Sequence, residues 1–134
     1  MSKVKQVIVM RKDLNMRRGK QIAQGAHASM KVFLDKMTTH HSPSAGLHYG
    51  HVSPLGTDEL EWIDGAFTKI CVSVNSEAEL IGIYESAKLA GLNCSLIQDA
   101  GHTEFNGVPT YTCCAIGPNE ASKIDVITGG LQLL

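Results

Sequence analysis

Short β-branched runs alternate with longer helical patterns along this chain, and that alternation limits its possible folds more than any other feature. The runs lie at residues 6–10 (QVIVM), 68–74 (TKICVSV), 93–98 and 111–116, and each has the length and composition of a buried strand. Helical patterns occupy residues 17–37, 76–90 and 119–128. The order β-α-loop-β-α-β-β-α predicts a single domain, residues 1–134, of α/β class: a three-layer α/β/α sandwich around a four-stranded mixed β-sheet.

The first helical pattern carries two stripes. Apolar residues recur at three- and four-residue intervals and predict the face that packs on the core: Ile22, Ala26, Met30, Phe33 and Met37. Lys20, Gln24 and His27 form a second stripe about 200° around the same helix. We therefore expect three chemically capable side chains on the face away from the core, either at a site or simply in solvent.

Residues 38–66 predict a long loop. The segment holds Pro43, Pro54, four glycines and four of the six histidines, but no lysine or arginine. A loop of this length in a small domain indicates a functional or mobile segment. Its histidines lack a regular metal-ligand spacing, so solvent-exposed side chains are the favoured interpretation over a metal site.

Polar residues follow two of the predicted strands. Asp99, Gly101 and Thr103 come directly after the third strand, and the turn at residues 11–18 follows the first. Ligands of open α/β sheets bind beyond the carboxyl ends of strands, so these segments are expected to converge. Thr112 lies within the fourth strand, where β-propensity alone would also explain it.

The charge is unevenly distributed along the chain. Nine basic residues and two acidic ones fall within the first 36 residues, giving +7, and the remainder carries −8. Such a block indicates either a positive surface that meets phosphates or charges that intermix once the chain folds.

Nothing in the sequence indicates export or membrane insertion. No apolar stretch approaches the roughly 20 residues that cross a bilayer. The four cysteines lie in apolar strand-like runs without a C-x-x-C pair, which favours reduced thiols in the core. We therefore expect a cytoplasmic protein.

Four segments together resemble one known family. KQVIVMRKDLNMRRGKQIAQGAHAS, WIDGAFTKICVSVNSEAEL, LIQDAGHTEFNGVPTYTCCAIGP and IDVITGGLQLL are similar in order and spacing to the type II peptidyl-tRNA hydrolases, the archaeal and eukaryotic type. The resemblance covers nearly the whole chain, which would then be one type II peptidyl-tRNA hydrolase domain.

The resemblance implies a hydrolase without metal or other cofactor that cuts the ester between a peptide and the terminal ribose of tRNA, and so recycles the tRNA. It also implies a homodimer. The motif residues that carry over as catalytic are Lys20, Gln24, His27, Asp99, Thr103 and Thr112. Arg17, Arg18 and Gly101 are the expected substrate-binding residues.

Ester hydrolysis needs an oriented water, a stabilised oxyanion and a proton for the leaving oxygen. We expect Asp99 to orient or deprotonate the water and Lys20, paired with it, to stabilise the oxyanion. Thr103 or Thr112 would position water or substrate, and Gln24 or His27 would orient a neighbour. A non-catalytic module that binds RNA or protein, or a metal-binding protein built on the histidine segment, remains the alternative.

Overall fold

The computed structural model describes residues 3–134, so the first two residues of the predicted domain lie outside the described part. Within that part, none of the helices is long and apolar enough to cross a membrane. The strands are β1 (Val4–Arg11), β2 (Met37–Ser42), β3 (Leu47–Val52), β4 (Lys69–Val74), β5 (Cys94–Asp99) and β6 (Thr110–Glu120). The helices are α1 (Arg18–Leu34), α2 (Thr57–Asp64), α3 (Glu77–Leu89) and α4 (Ala121–Thr128).

Four strands form one mixed sheet in the order β4-β1-β6-β5. β1 runs parallel to β4, whereas β6 runs antiparallel to both β1 and β5. The carboxyl ends of β1, β4 and β5 therefore meet at one edge of the sheet. The predicted mixed sheet and α/β class are confirmed.

Hydrophobic side chains cover both faces of the sheet. On one face, α1 packs Ala28 and Val32 against Ile8, Met10 and Ile97. On the other face, Leu80 and Ala87 of α3 and Ile124 of α4 close a second cluster. Side chains of β1 alternate between the two faces and contribute to both clusters. The strand is therefore a continuous apolar run in the sequence.

The face of α1 that packs on the sheet is not the predicted apolar stripe. Ile22 is 66% exposed and Met30 is 60% exposed, whereas Gln24 is only 3% exposed. Gly25, Ala28 and Val32 share the buried face. The prediction was wrong because small side chains allow close approach to the sheet and because Gln24 finds buried hydrogen-bond partners there.

The predicted loop at residues 38–66 contains regular structure. β2 and β3 form an antiparallel hairpin that turns through Pro43–Ala45 and Gly46, and α2 follows. The hairpin is exposed on both faces along almost its whole length, so no apolar alternation marks it in the sequence. Met37, predicted as the end of the first helix, instead begins β2.

Candidate active site

Two chain segments converge at the edge of the sheet where β1 and β5 end. The turn after β1 leads into α1, which starts at Arg18 and places Lys20 in its first turn. Asp99 is the last residue of β5. The convergence that the strand order predicts is therefore present, and it brings together residues 79 positions apart in the chain.

Lys20 and Asp99 form an ion pair at this edge. The Nζ of Lys20 lies 2.7 Å from Oδ1 of Asp99 and also donates to Oγ1 of Thr103 at 2.8 Å. The side chains of Lys20 and Asp99 are 15% and 13% exposed. The pair is thus largely shielded yet reachable, as a reacting centre requires.

Gly101 shapes the turn that holds the carboxylate. Its backbone N–H donates to Oδ2 of Asp99 at 2.9 Å, and its φ of +87° lies in the region that favours glycine. A Cβ at this position would overlap the backbone of Val108. Gly101 is buried, so its observed contribution is to fix Asp99.

The Asp99 carboxyl is held in its charged form. Its pKa lies below the ordinary value, chiefly because Lys20 donates a hydrogen bond to it, and Gly101 and Gln24 add to the effect. Partial burial opposes this shift without reversing it. Asp99 is therefore a carboxylate at neutral pH, suited to orienting a water and less suited to taking a proton from it.

Gln24 connects Asp99 to the core of the sheet. Its Nε2 donates to Oδ1 of Asp99 at 3.3 Å, and its Oε1 accepts from Oγ1 of Thr112 at 2.6 Å. Thr112 has no exposed surface. Thr112 therefore cannot touch water or substrate, and acts by fixing the orientation of the Gln24 amide.

His27 lies on the same flank of α1 but outside this network. It is exposed, and no hydrogen bond joins its imidazole to any residue from 3 to 134. Phe105, which sequence reasoning missed, lies with its ring centroid 5.8 Å from Nζ of Lys20. No pattern in the sequence marks Phe105, because only the fold of the loop at residues 100–109 brings it there.

The expected substrate-binding arginines flank the pair. Arg17 is exposed, and its Nε lies 4.0 Å from Oε1 of Glu104. Arg18 is exposed at the start of α1. The first turn of α1 contains no acidic residue, and its N-cap makes no side-chain hydrogen bond within the described part of the chain. Both features leave a positive end of a helix beside Lys20.

The basic N-terminal block is largely intermixed with acids in the fold. Arg11 is a clear case, because its buried guanidinium bonds Asp13 and the carbonyl of Tyr111. Within the described chain, only three of the nine bases form no ion pair, and these are Lys3, Lys12 and Arg18. Two of these three, Lys12 and Arg18, lie in the turn or at the start of α1, whereas Lys3 lies at the other end of β1.

The cysteines provide no nucleophile. Burial raises the pKa of Cys113 to about 12 and raises those of Cys71, Cys94 and Cys114. All four thiols are free, and Cys71 is exposed rather than in the core as expected. A thiolate attack on the ester is therefore disfavoured.

The histidines of the hairpin pair in twos. Nδ1 of His41 lies 2.7 Å from Nδ1 of His48. The rings of His40 and His51 stack with their centroids 5.2 Å apart. Across residues 3–134, no cluster brings together three or more possible metal ligands.

Comparison with known proteins assigns the family. Residues 4–134 match the family model described as peptidyl-tRNA hydrolase PTH2. A peptidyl-tRNA hydrolase of Methanocaldococcus jannaschii is 44% identical over 98% of this chain and 100% of its own length. Those of Methanothermobacter thermautotrophicus (41%, over 98% of this chain and 100% of its own) and Methanopyrus kandleri (38%, over 97% of each) are similar too. The chain belongs to the peptidyl-tRNA hydrolase PTH2 family.

Proposed function

We propose that this chain hydrolyses the ester between a peptide and the terminal ribose of tRNA, with Lys20 and Asp99 at the reacting centre. The observation that carries the proposal is their shielded ion pair at the sheet edge, in a chain of this family. The direct test is release of the blocked amino acid from N-acetyl-aminoacyl-tRNA by the purified protein. A protein that binds this RNA without turnover would be a binding module instead.

The chemistry follows from the charges at the centre. The oxygen of a water attacks the ester carbonyl carbon, and negative charge develops on the carbonyl oxygen. The ammonium of Lys20 stabilises this oxyanion. The bond to the ribose oxygen then breaks, and the proton from the water ends on that leaving oxygen.

Asp99 orients the attacking water through hydrogen bonds and keeps Lys20 in place. Its lowered pKa supports this role over that of a strong base. Thr103 contacts water or substrate; its exposure and its hydrogen bond with Lys20 support this role. Gln24 and Thr112 act as positioning residues behind Asp99.

The tRNA approaches over the start of α1. Arg17 and Arg18 neutralise phosphates there, and the uncapped helix N-terminus offers further backbone N–H groups to an anion. These contacts fix the acceptor end near Lys20 without reading the tRNA sequence.

A homodimer would bury the apolar groove between α1 and β4. The groove has a volume of about 520 Å³ and exposes Ile22 and Phe67 by 66% and 51%. Exposed apolar patches of this kind commonly mark contacts between proteins. We propose pairing of two chains through this face, and expect Ile22→Asp to give a monomer by light scattering. An unchanged mass would place the contact elsewhere.

We further propose that the protein acts in the cytoplasm, where peptidyl-tRNA is produced. Its four free cysteines suit a reducing compartment.

A further inference from the structure

The outer edge of β5 is unpaired in the described chain. β5 is the last strand of the four-stranded sheet and hydrogen-bonds only to β6. The carbonyl of Asn93 accepts from the N–H of Gly117 on the β6 side. Because backbone groups alternate along an antiparallel strand, the N–H and C=O of Leu96 point away from β6.

A groove runs along this edge, between β5 and α1. Its volume is about 430 Å³. Met30, Leu34 and Ile97 supply apolar walls, while His27, Lys31 and Gln98 supply polar ones. Leu96 also borders the groove, although its side chain packs against the cluster on the α3 and α4 face of the sheet. The groove reaches Gln98, which directly precedes Asp99 in the chain.

The direction of β5 matches the chemistry of the substrate. β5 runs towards Asp99, and the ester to be cut lies at the carboxyl end of the peptide. A peptide with its ester at Lys20 and Asp99 and its remaining residues in the groove would therefore run parallel to β5. From Leu96 to Asp99 the strand rises about 10 Å, which corresponds to three or four peptide residues.

We propose that this groove binds the peptide moiety of the substrate as an added parallel strand on β5. The inference rests on the proposed hydrolase function. In parallel pairing, the N–H of Leu96 donates to one peptide carbonyl, and its C=O accepts from the peptide N–H two residues nearer the ester. Main-chain pairing of this kind accepts any side chain, as an enzyme that meets peptides of every sequence requires.

The groove on the other flank of α1 is a weaker candidate for the peptide. It is larger and more apolar, but it lies over β1 and β4. Lys20 and Gln24 bond Asp99 from the β5 side of the helix. A peptide lying over β4 would have to cross α1 to place its ester between them.

A substrate series tests the subsite without altering the protein. N-acetylated substrates of one to five residues on the same tRNA should show kcat/KM rising about three- to tenfold up to the third or fourth residue, then levelling. Replacing the amide that bonds Leu96 by an ester should remove most of this gain, since the donor is lost. Exchanging alanine for serine or leucine in the peptide should change the rate far less.

A pair of variants tests the strand edge itself. Leu96→Pro deletes the outward N–H without removing a bond to β6, whereas Leu96→Ala removes only the side chain. We expect Leu96→Pro, but not Leu96→Ala, to abolish the gain with peptide length, so that kcat/KM no longer differs between one- and four-residue substrates. If Leu96→Pro does not fold, the amide-to-ester series decides alone.

The outcomes separate the subsite from the hydrolase function. Equal kcat/KM for one- and four-residue peptides, with both hydrolysed, would overturn the subsite and leave the hydrolase proposal intact. Hydrolysis of none of the substrates would overturn both.

Discussion

At the proposed reacting centre, three donors hold one carboxylate. Lys20, Gly101 and Gln24 all bond Asp99, and Thr112 fixes Gln24 from within the sheet. The sequence places Lys20 and Gln24 on one helical stripe, and the strand order places Asp99 at the same sheet edge. The sequence could not show that Gln24 is buried or that Phe105 lies beside Lys20, because both depend on tertiary packing.

Asp99 should make protein stability depend on pH in a specific range. Its folded pKa is lowered, so its contribution to the free energy of unfolding is present above the unfolded pKa of about 3.9 and is lost as pH falls through the folded value. Asp13 and Glu59, whose pKa values are also lowered, titrate nearby. We therefore compare the wild type with Asp99→Asn by urea unfolding. The difference between their free energies of unfolding should be constant from pH 5 to 8 and should shrink below about pH 4. A difference that stays constant down to pH 2 would contradict the ion pair.

Thr112 should act on catalysis only through Gln24. Thr112→Val keeps the shape and β-propensity but leaves Oε1 of Gln24 without its buried donor, which costs about 1–3 kcal/mol of stability. We expect a several-fold fall in kcat with little change in KM, and recovery in Thr112→Ser. Thr110→Val is the matched control, since among residues 3–134 its hydroxyl bonds only the carbonyl of Val108. A wild-type kcat in Thr112→Val would mean that Thr112 does not affect catalysis through Gln24.

At the scale of elements, the strands could be predicted more reliably than the surfaces of the helices. The two central strands, β1 and β6, are buried on both faces, so burial leaves a continuous apolar signal in the sequence. α1 instead buries glycine, alanine and glutamine and exposes isoleucine and methionine. Periodicity alone then selects the wrong face. The hairpin β2–β3 escaped prediction for a related reason, since it buries neither face.

The orientation of α1 leads to a stability test. Val32 is 2% exposed and Met30 is 60% exposed. Val32→Ala should lower the free energy of unfolding by about 1–3 kcal/mol, and Met30→Ala should change it by about 0.5 kcal/mol or less. Chemical denaturation of both variants checks this. The reverse order would mean that the predicted stripe is the core after all.

At the scale of the whole molecule, the net charge of −1 hides a local positive surface. Most N-terminal bases meet acids in the fold, but Arg17 and Arg18 remain exposed beside the site. The linear charge block left open whether the bases form a positive surface or intermix with acids, because ion pairing depends on which acids the fold brings near.

Replacing Arg17 and Arg18 by alanine should weaken binding to all tRNAs alike. Each phosphate contact contributes about −0.7 to −0.9 to the slope of log affinity against log salt, so the slope should flatten by about one to two units. Turnover at saturating substrate should change far less. The control replaces Lys88 and Lys123, on α3 and α4, and should keep the slope. An unchanged slope in the Arg17 and Arg18 variant would mean that this surface does not face the tRNA.

The most direct test of the central claim is the single-turnover rate of N-acetyl-aminoacyl-tRNA hydrolysis. Lys20→Ala and Asp99→Asn should each lower it at least about a hundredfold while unfolding stays cooperative, and the double variant should be little slower than the slower single one. Lys5→Ala is the control. It breaks the ion pair of Lys5 with Asp125, far from the site, in which the lysine is as buried as Lys20, and this variant should react at the wild-type rate. Wild-type rates in either Lys20→Ala or Asp99→Asn would contradict the assignment of the catalytic pair.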